Sequence, residues 1–338
     1  MSGENPFGRK PKEAILLDQF DVKDIRKWSR FRDELARMHW ESFSDLSYQR
    51  SKIGDRIASA LRDAANHDFE FIKWQRLVTY QYSSDPLSVT GSLIDPGGRF
   101  NIGDINQTHF PVFPALYVAE DKDTVLQEAL CQPKTIEGSD KALESALTDS
   151  RSISIVSVSG RIESLIDLNH PERLRGFVEH MRGFGMNRNV VRIAMKYKIK
   201  LELIGSVELL MKALLEPNWR AWPMHFDVPF TSQIFGRLVK DAGIDGILFP
   251  SVLNQKNCLA LFPQCFQNSD SFIQLDDKPP KGVRRVRLDS TNWSESDCAK
   301  VPRIDEKLIK KIVHTSKLAG MIRKVVAQSR RFWPFGNC

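Results

Sequence analysis

Apolar residues recur at steps of three and four over the first part of the chain, which is the period of an amphipathic helix. In the segment KDIRKWSRFRDELARMHWESF, the residues on this face are Ile25, Trp28, Phe31, Leu35 and Met38. The segment DRIASALRDAANH continues the pattern, so we expect residues 12–66 to be mostly helical. No catalytic pattern accompanies these helices, which favours an accessory layer or a surface for a partner.

The pattern changes at Phe71, where aromatic and β-branched residues alternate partly with polar ones. The segment FIKWQRLVTYQY therefore predicts a strand. A turn-rich stretch follows, SSDPLSVTGSLIDPGGRFNIGD, and after the inserted segment INQTHFPVF the residues ALYVAE predict a second strand. The next segment, DKDTVLQEALC, predicts a short helix that Asp121 or Asp123 would cap.

Short apolar segments separated by helices dominate the second half of the chain. The residues SISIVSVSGRIESLIDL predict a strand, residues 171–222 have a mostly helical pattern, and TSQIFGRLVKDAG predicts an amphipathic helix that ends at Gly243. The runs DGILFPSV and NCLALFP have the length and turn signals of buried strands, and SFIQL and VRRVRL predict edge strands. We therefore expect a compact α+β core.

From about residue 276 the chain becomes polar, and it ends in a basic amphipathic pattern. In DEKLIKKIVHTSKLAGMIRKVVAQSRR the apolar residues share one helical face, with lysines and arginines opposite. Such a helix docks on its own protein or lies on an anionic membrane, and the pattern leaves both open. We divide the chain into an N-terminal helical extension (1–66), an α+β core (67–275) and a polar linker with a basic C-terminal helix (276–338).

Charge and cysteine usage limit the classes of function. The net charge of +7 favours anionic partners such as nucleotides, nucleic acid or an acidic membrane. Aromatic residues are not interleaved with the basic runs, so nucleic acid is the least favoured of these partners. The five cysteines are irregularly spaced and form no Cys-x-x-Cys pair, which argues against a disulfide framework and a zinc site.

Targeting signals are not evident in the sequence. The first residues, MSGENPFGRK, lack the apolar run of a secretory signal, and no stretch approaches the roughly 18 apolar residues of a membrane span. We expect a cytoplasmic protein without a transmembrane segment, and export that needs no signal peptide stays open.

Six residues in the middle of the chain have side chains suited to chemistry or ligand binding. They are Arg76, Arg99, Tyr117, Glu128, Ser251 and Asn257. A guanidinium matches two phosphate oxygens at once, and the glycines before Arg99 would let a ligand approach the backbone closely. Taken singly, each residue also fits a structural role, such as a turn arginine in a salt bridge, a core tyrosine, a solvated helical glutamate or a turn serine.

The order of these motifs along residues 72–275 resembles the RES domain family, which is named for its arginine, glutamate and serine. The resemblance rests on an arginine-bearing strand, the turn GGRFN, the strand LYVAED, a helix with EAL, and the pair DGILFPS and NCLALF. The segment TSQIFGRLVKDAGIDGILFPS also resembles the family's helix-and-strand lead-in to the serine. This chain differs from the family in its long extensions, in the inserted INQTHFPVF and in VLNQ after Ser251.

The resemblance implies a fold like that of ADP-ribosyltransferases and an enzyme that consumes NAD without a metal. Many members are bacterial toxins that release nicotinamide from NAD, with phosphate or water as the acceptor, and some transfer ADP-ribose to a protein. Such toxins are often paired with an Xre-like antitoxin that covers the active site. Transfer to a protein target and binding of NAD without turnover are the alternatives that the sequence leaves open.

The resemblance also implies a role for each of the six residues. Glu128 would stabilise positive charge on the ribose as nicotinamide leaves, and Arg99, helped by Arg76, would hold the diphosphate. Tyr117 would pack against the nicotinamide ribose or the cationic ring. Ser251 would form a hydrogen bond to the nicotinamide side or to a phosphate. Asn257 completes the predicted set of NAD-binding residues.

Overall fold

Helices and strands alternate along the chain in a mixed α+β fold, as the sequence predicts. The computed structural model describes residues 22–106, 108–130, 153–279 and 281–295. The described helices are α1 (Val22–Ser51), α2 (Gly54–Ala64), α3 (Lys122–Leu130), α4 (Arg175–Met181), α5 (Arg188–Tyr197), α6 (Val207–Leu214), α7 (Ala221–Phe226) and α8 (Thr231–Asp241). The strands are β1 (Asn66–Thr79), β2 (Leu116–Ala119), β3 (Ile153–Asp167), β4 (Gly246–Pro250), β5 (Asn257–Leu261), β6 (Phe272–Leu275) and β7 (Arg287–Leu288). The predicted basic C-terminal helix lies outside the described residues.

Five strands close into a ring in the order β1-β2-β5-β4-β3, because β3 pairs back with β1. The two long strands β1 and β3 run antiparallel over most of their length, with Trp74 opposite Val158. The contact between β3 and β4 is parallel, and the other pairs in the ring are antiparallel. β6 and β7 continue the sheet from β3. Closure reduces the length of exposed strand edge in the core.

Alternate residues of the ring strands face two separate apolar clusters, as the two-residue period of a strand requires. Val118 and Leu248 are buried in the smaller cluster. Their sequence neighbours Tyr117 and Ile247 face the larger cluster, which the helices cover, and Cys258 of β5 faces it too. Tyr117 therefore points to the side of the sheet on which α2 and α8 pack.

Helix ends are fixed by residues that the sequence makes recognisable. Oδ1 of Asp121 accepts from the backbone N–H of Thr124 at 2.8 Å and from its hydroxyl at 2.7 Å, which confirms one of the two predicted caps of α3. Asn187 and Ser206 cap α5 and α6 by accepting a backbone N–H three residues further on. Gly243 follows α8 with a φ of +80°, and the predicted helix end is confirmed.

Aromatic contacts bind α1 to the inserted segment INQTHFPVF. The ring of Trp40 stacks on that of Phe110 with 5.4 Å between centroids, and Phe43 meets the same ring edge-on at 4.9 Å. Phe110 belongs to the insertion and is buried. Burial of an aromatic side chain of this size contributes on the order of 2 kcal/mol, so these rings anchor α1 to the core.

His39 of α1 is buried among aromatic rings of α7. Its ring centroid lies 4.2 Å from that of Trp222 and 4.1 Å from that of Phe226. Burial lowers the pKa of His39 to about 4, because the imidazolium form is poorly solvated in this position. The imidazole is therefore neutral at neutral pH.

His39 is expected to make the fold sensitive to acid between pH 6.5 and pH 4. The unfolded imidazole takes up a proton near its ordinary pKa of 6.5, whereas the folded one does so near 4. The unfolded state binds more protons in this window, so the free energy of unfolding falls by about 3 kcal/mol as the pH drops through it. Urea unfolding of His39→Leu should show a flatter pH dependence than that of the wild type.

The exposed His67 supplies a matched control for this measurement. His67→Leu removes an imidazole that solvent already surrounds, so its pH dependence should follow the wild type. If the free energy of unfolding of His39→Leu fell between pH 6.5 and pH 4 as steeply as that of the wild type, His39 would not be the source of the acid sensitivity.

Candidate active site

The turn around GGRFN folds back on itself and on Tyr117. Gly97 has a φ of +89°, a conformation that residues with side chains rarely adopt. A Cβ on Gly98 would lie 2.4 Å from the Tyr117 hydroxyl oxygen, and a Cβ on Gly97 would lie 2.4 Å from the Gly103 nitrogen. The space beside these glycines is occupied by the Tyr117 hydroxyl and the Gly103 backbone, and not by a ligand as the sequence predicts.

Hydrogen bonds from Tyr117 and Asn101 hold this turn in place. The Tyr117 hydroxyl donates to Oδ1 of Asn101 at 2.9 Å and accepts from the Phe100 N–H at 3.0 Å. Asn101 is fully buried, and its Nδ2 donates to the carbonyl oxygens of Ser92 and Phe113 at 2.7 and 3.0 Å. Burial raises the pKa of Tyr117, so the phenol stays neutral and bound to the turn.

Helix α8 closes over the turn from another side. A Cβ on Gly236 would lie 1.9 Å from the Phe100 carbonyl oxygen, so the helix backbone touches the turn. The buried Gln233 donates from Nε2 to carbonyl oxygens of the turn, which belong to Pro96, Gly98 and Asn101 and lie at 2.7, 3.2 and 3.0 Å. The turn is therefore fixed by β2, by α8 and by its own side chains, and this fixes the direction of its arginine.

Arg99 extends from the turn towards the segment between α6 and α7. Its Nη1 donates to the carbonyl oxygens of Leu214 and Glu216 at 3.3 and 2.9 Å. Its Cζ lies 6.0 Å from the ring centroid of Trp219. Burial lowers the pKa of Arg99, and the Glu128 carboxylate is the strongest opposing influence. Within the described residues, the hydrogen bonds of this guanidinium all come from Nη1. The N–H groups of Nε and Nη2 are therefore available to bind a ligand.

Glu128 lies on the polar face of α3, and this face meets the loop after β4. The Ser251 hydroxyl donates to Oε1 of Glu128 at 2.6 Å, and Ser251 is 0% exposed. One helical turn earlier, Oγ1 of Thr124 accepts from Nδ2 of Asn254 at 2.8 Å. These two contacts fix α3 to the loop, so the half-buried carboxylate is held in one place rather than solvated.

The residues VLNQ after Ser251 form a tight loop around its hydroxyl. The Leu253 N–H donates to Ser251 Oγ at 3.2 Å, and the Ser251 N–H donates to the Lys256 carbonyl oxygen at 2.7 Å. Gln255 adopts a φ of +65° to close the loop. The unusual sequence at this point therefore still turns Ser251 towards Glu128.

Arg76 is held by hydrogen bonds to the backbone beside the site. Its Nε, Nη1 and Nη2 donate to the carbonyl oxygens of Pro86, Tyr117 and Ser88 at 2.7, 3.0 and 2.6 Å. The guanidinium is buried, and burial lowers the pKa of Arg76 to about 10. The predicted phosphate contact of Arg76 is replaced by bonds that fix the backbone of β2, since all three nitrogens already donate to the protein.

Asn257 is the predicted residue that the structure places elsewhere. Its Oδ1 accepts from Nδ2 of Asn169 at 3.2 Å, at the end of β3. Successive strand residues point to opposite faces, so the neighbouring Cys258 lies on the face of β5 that packs into the larger apolar cluster. Burial, together with the Glu128 charge, raises the pKa of Cys258, and the neutral thiol is a poor nucleophile.

Sequence reasoning missed three residues at this site. Gln233 had a weak signal, because it is a polar residue inside the amphipathic pattern of TSQIFGRLVKDAG. Trp219 and Arg220 had none, since only the fold brings them to the turn. The ring of Trp219 is 1% exposed, and the Cζ of Arg220 lies 4.5 Å from its centroid.

A family model, that of the RES domain, matches residues 73–280, which is more than half of the chain. The chain belongs to the RES domain family. Among curated proteins, none matches it significantly. Among solved structures, it is similar to a chain in the crystal structure of the M. tuberculosis MbcT–MbcA toxin–antitoxin complex, at 14% identity and a TM-score of 0.37. That match covers 72% of this chain and 97% of the other.

The groups of the RES region that are suited to chemistry are the Glu128 carboxylate and the Arg99 guanidinium, whose charges influence each other. Glu128 can stabilise a positive charge, and Arg99 can bind an anion attached to the same ligand. Within the described part of the chain, no three His, Cys, Asp or Glu side chains are placed to hold a metal ion. None of the described helices has the length and apolar character needed to cross a membrane.

Proposed function

We propose that this RES protein cleaves the nicotinamide–ribose bond of NAD, with phosphate or water as the acceptor. Membership of the RES family supports an activity on NAD. The observation that carries the proposal is the carboxylate of Glu128, which a fully buried serine holds at 2.6 Å in the field of Arg99. A carboxylate fixed in this way is suited to stabilise charge on a sugar.

The reaction requires a stabiliser of positive charge and no general acid. The bond between ribose C1′ and the pyridinium nitrogen breaks, and its electron pair goes to nitrogen, so nicotinamide leaves as a neutral molecule. The ribose then resembles an oxocarbenium ion, as in glycoside cleavage. An oxygen of phosphate or water forms the new bond to C1′, and water releases its proton to the solvent. Glu128 stabilises the charge that grows on the ribose.

The remaining residues hold the ligand and the carboxylate. Arg99 binds the diphosphate through Nε and Nη2, because Nη1 is fixed by two carbonyl groups. Ser251 positions Glu128, and Tyr117 holds the turn that carries the arginine. The ring of Tyr117 packs beside the nicotinamide ribose in this proposal, with its hydroxyl committed to the turn.

Product analysis tests the reaction. The full chain is incubated with NAD, with and without phosphate, and the products are separated by chromatography. We expect nicotinamide together with ADP-ribose 1-phosphate or ADP-ribose, and an Xre-like antitoxin would lower its release. Label transferred from NAD to a macromolecule would favour an ADP-ribosyltransferase instead. Binding of NAD without turnover would favour a non-catalytic module, and absence of binding would contradict all three functions.

Ser251→Ala is expected to lower the turnover number about 10-fold, with little change in the KM for NAD. The substitution removes a hydrogen bond to a charged group, which is worth about 1.5–3 kcal/mol, and Glu128 then samples unproductive positions. Steady-state kinetics measures this effect. Ser157→Ala is the matched control, because its exposed hydroxyl also donates to a carboxylate, that of Asp276 at 2.5 Å, and not to Glu128. A raised KM for NAD with an unchanged turnover number would contradict a positioning role for Ser251.

A further inference from the structure

Two guanidinium groups lie against the indole of Trp219. The Cζ of Arg99 lies 6.0 Å from the ring centroid, and the Cζ of Arg220 lies 4.5 Å from it. Trp219 is 1% exposed, so its position is fixed by packing. The ring therefore sets the distance between a cation from the GGRFN turn and a cation from the segment before α7.

Residues 214–220 both orient the first cation and supply the second. The carbonyl oxygens of Leu214 and Glu216 accept from Arg99, and Arg220 follows four residues after the second of them. One short stretch of backbone thus determines the spacing of the pair.

The charges of the pair favour a ligand with more than one negative group. Burial lowers the pKa of Arg99 most, and the charge of Arg220 lowers it further, which is the sign of mutual repulsion. The Glu128 carboxylate offsets part of this effect, but it is bound to Ser251. A ligand with two adjacent anionic groups would relieve the repulsion at both guanidiniums.

We propose that Arg220 is the second anion-binding residue of the site, and that Arg99 and Arg220 each bind one phosphate of a dinucleotide diphosphate. This inference rests on the proposed cleavage of NAD. Arg99 lies in the field of Glu128, so it takes the phosphate nearer the nicotinamide ribose, and Arg220 takes the adenosine-side phosphate. Arg220 thereby selects dinucleotides over mononucleotides that contain the same nicotinamide–ribose bond.

Binding of NAD and of nicotinamide mononucleotide distinguishes this role. Calorimetry uses the full chain carrying Glu128→Gln, which slows turnover of both compounds. Adding Arg220→Gln should weaken NAD binding about 10- to 100-fold, as expected for loss of a charge-assisted bond. Binding of the mononucleotide should change less than about threefold, which is the size of a surface charge effect. Arg220→Lys should recover part of the NAD affinity, because it keeps a point charge.

Arg192→Gln is the matched control, since it removes one exposed arginine from α5. It should leave the affinity of both compounds unchanged. Circular dichroism of each variant confirms that the fold is intact.

Two results would overturn the role of Arg220. They are an unchanged NAD affinity in Arg220→Gln, with or without a raised KM for inorganic phosphate, and an equal loss for both compounds. The first of these leaves the proposed function intact, because the Glu128→Gln protein still binds NAD. If neither the wild type nor Glu128→Gln binds NAD, the proposed function fails and this inference fails with it.

Discussion

Glu128→Gln is expected to lower the turnover number for nicotinamide release from NAD by about 100- to 1,000-fold, as loss of a fixed charge-stabilising group does in other enzymes. The amide has the size of the carboxylate, and its oxygen can still accept from the Ser251 hydroxyl, so the local packing is kept. What is lost is the negative charge beside the ribose. The KM for NAD should change much less than the turnover number.

A second glutamate provides the control for this substitution. Glu179 lies exposed on α4, and Glu179→Gln removes the same charge without touching the site. Its turnover should equal that of the wild type. Normal nicotinamide release by Glu128→Gln would remove Glu128 from the mechanism and would leave NAD cleavage to be explained by other groups.

Gly236→Ala is expected to lower the free energy of unfolding by about 1–3 kcal/mol and to reduce nicotinamide release together with it. The new Cβ would lie 1.9 Å from the Phe100 carbonyl oxygen, and a backbone atom cannot swing aside as a flexible side chain can. Helix α8 must therefore move away from the GGRFN turn. A displacement of about 1 Å at Arg99 is enough to cost on the order of 100-fold in rate.

Gly176 of α4 supplies the comparison, because a Cβ there would meet Ala60 at an ordinary distance of 3.9 Å. Gly176→Ala should be neutral or stabilising by roughly 0.5–1 kcal/mol, as alanine is in a helix. Urea unfolding and turnover are measured on both variants. Equal stabilities for the two alanine variants would contradict close contact between α8 and the turn.

Local patterns predicted most of the secondary structure. The aromatic and β-branched run after Phe71 is part of β1 up to Thr79, after which Tyr80–Tyr82 form a 3-10 turn. The apolar runs near Ser251 are β4 and β5, and Gly243 ends α8. These features depend on neighbours in sequence, which is why periodicity and turn residues find them. Pairing of β1 with β3, which closes the ring, depends on contacts across the whole core and has no local signature.

The site was predicted less completely, because side-chain direction depends on the tertiary fold. The sequence places Glu128 on a short helix, but it does not show that the carboxylate meets Ser251. The sequence predicts ligand contacts for Arg76 and Asn257, yet in the structure the first donates to three carbonyl groups and the second points to the other face of β5. The ADP-ribosyltransferase-like fold and the three-part division of the chain stay predictions.

The stacking of Trp40 and Phe43 on Phe110 has a consequence for protein engineering. The insertion that carries Phe110 also carries Phe113, whose carbonyl accepts from Asn101 in the arginine turn. A fragment trimmed to the family match, which begins at residue 73, would lack Trp40 and Phe43 and would therefore expose the ring of Phe110. Helix α1 thus stabilises the segment that supports the candidate active site, and recombinant versions of this protein should retain it.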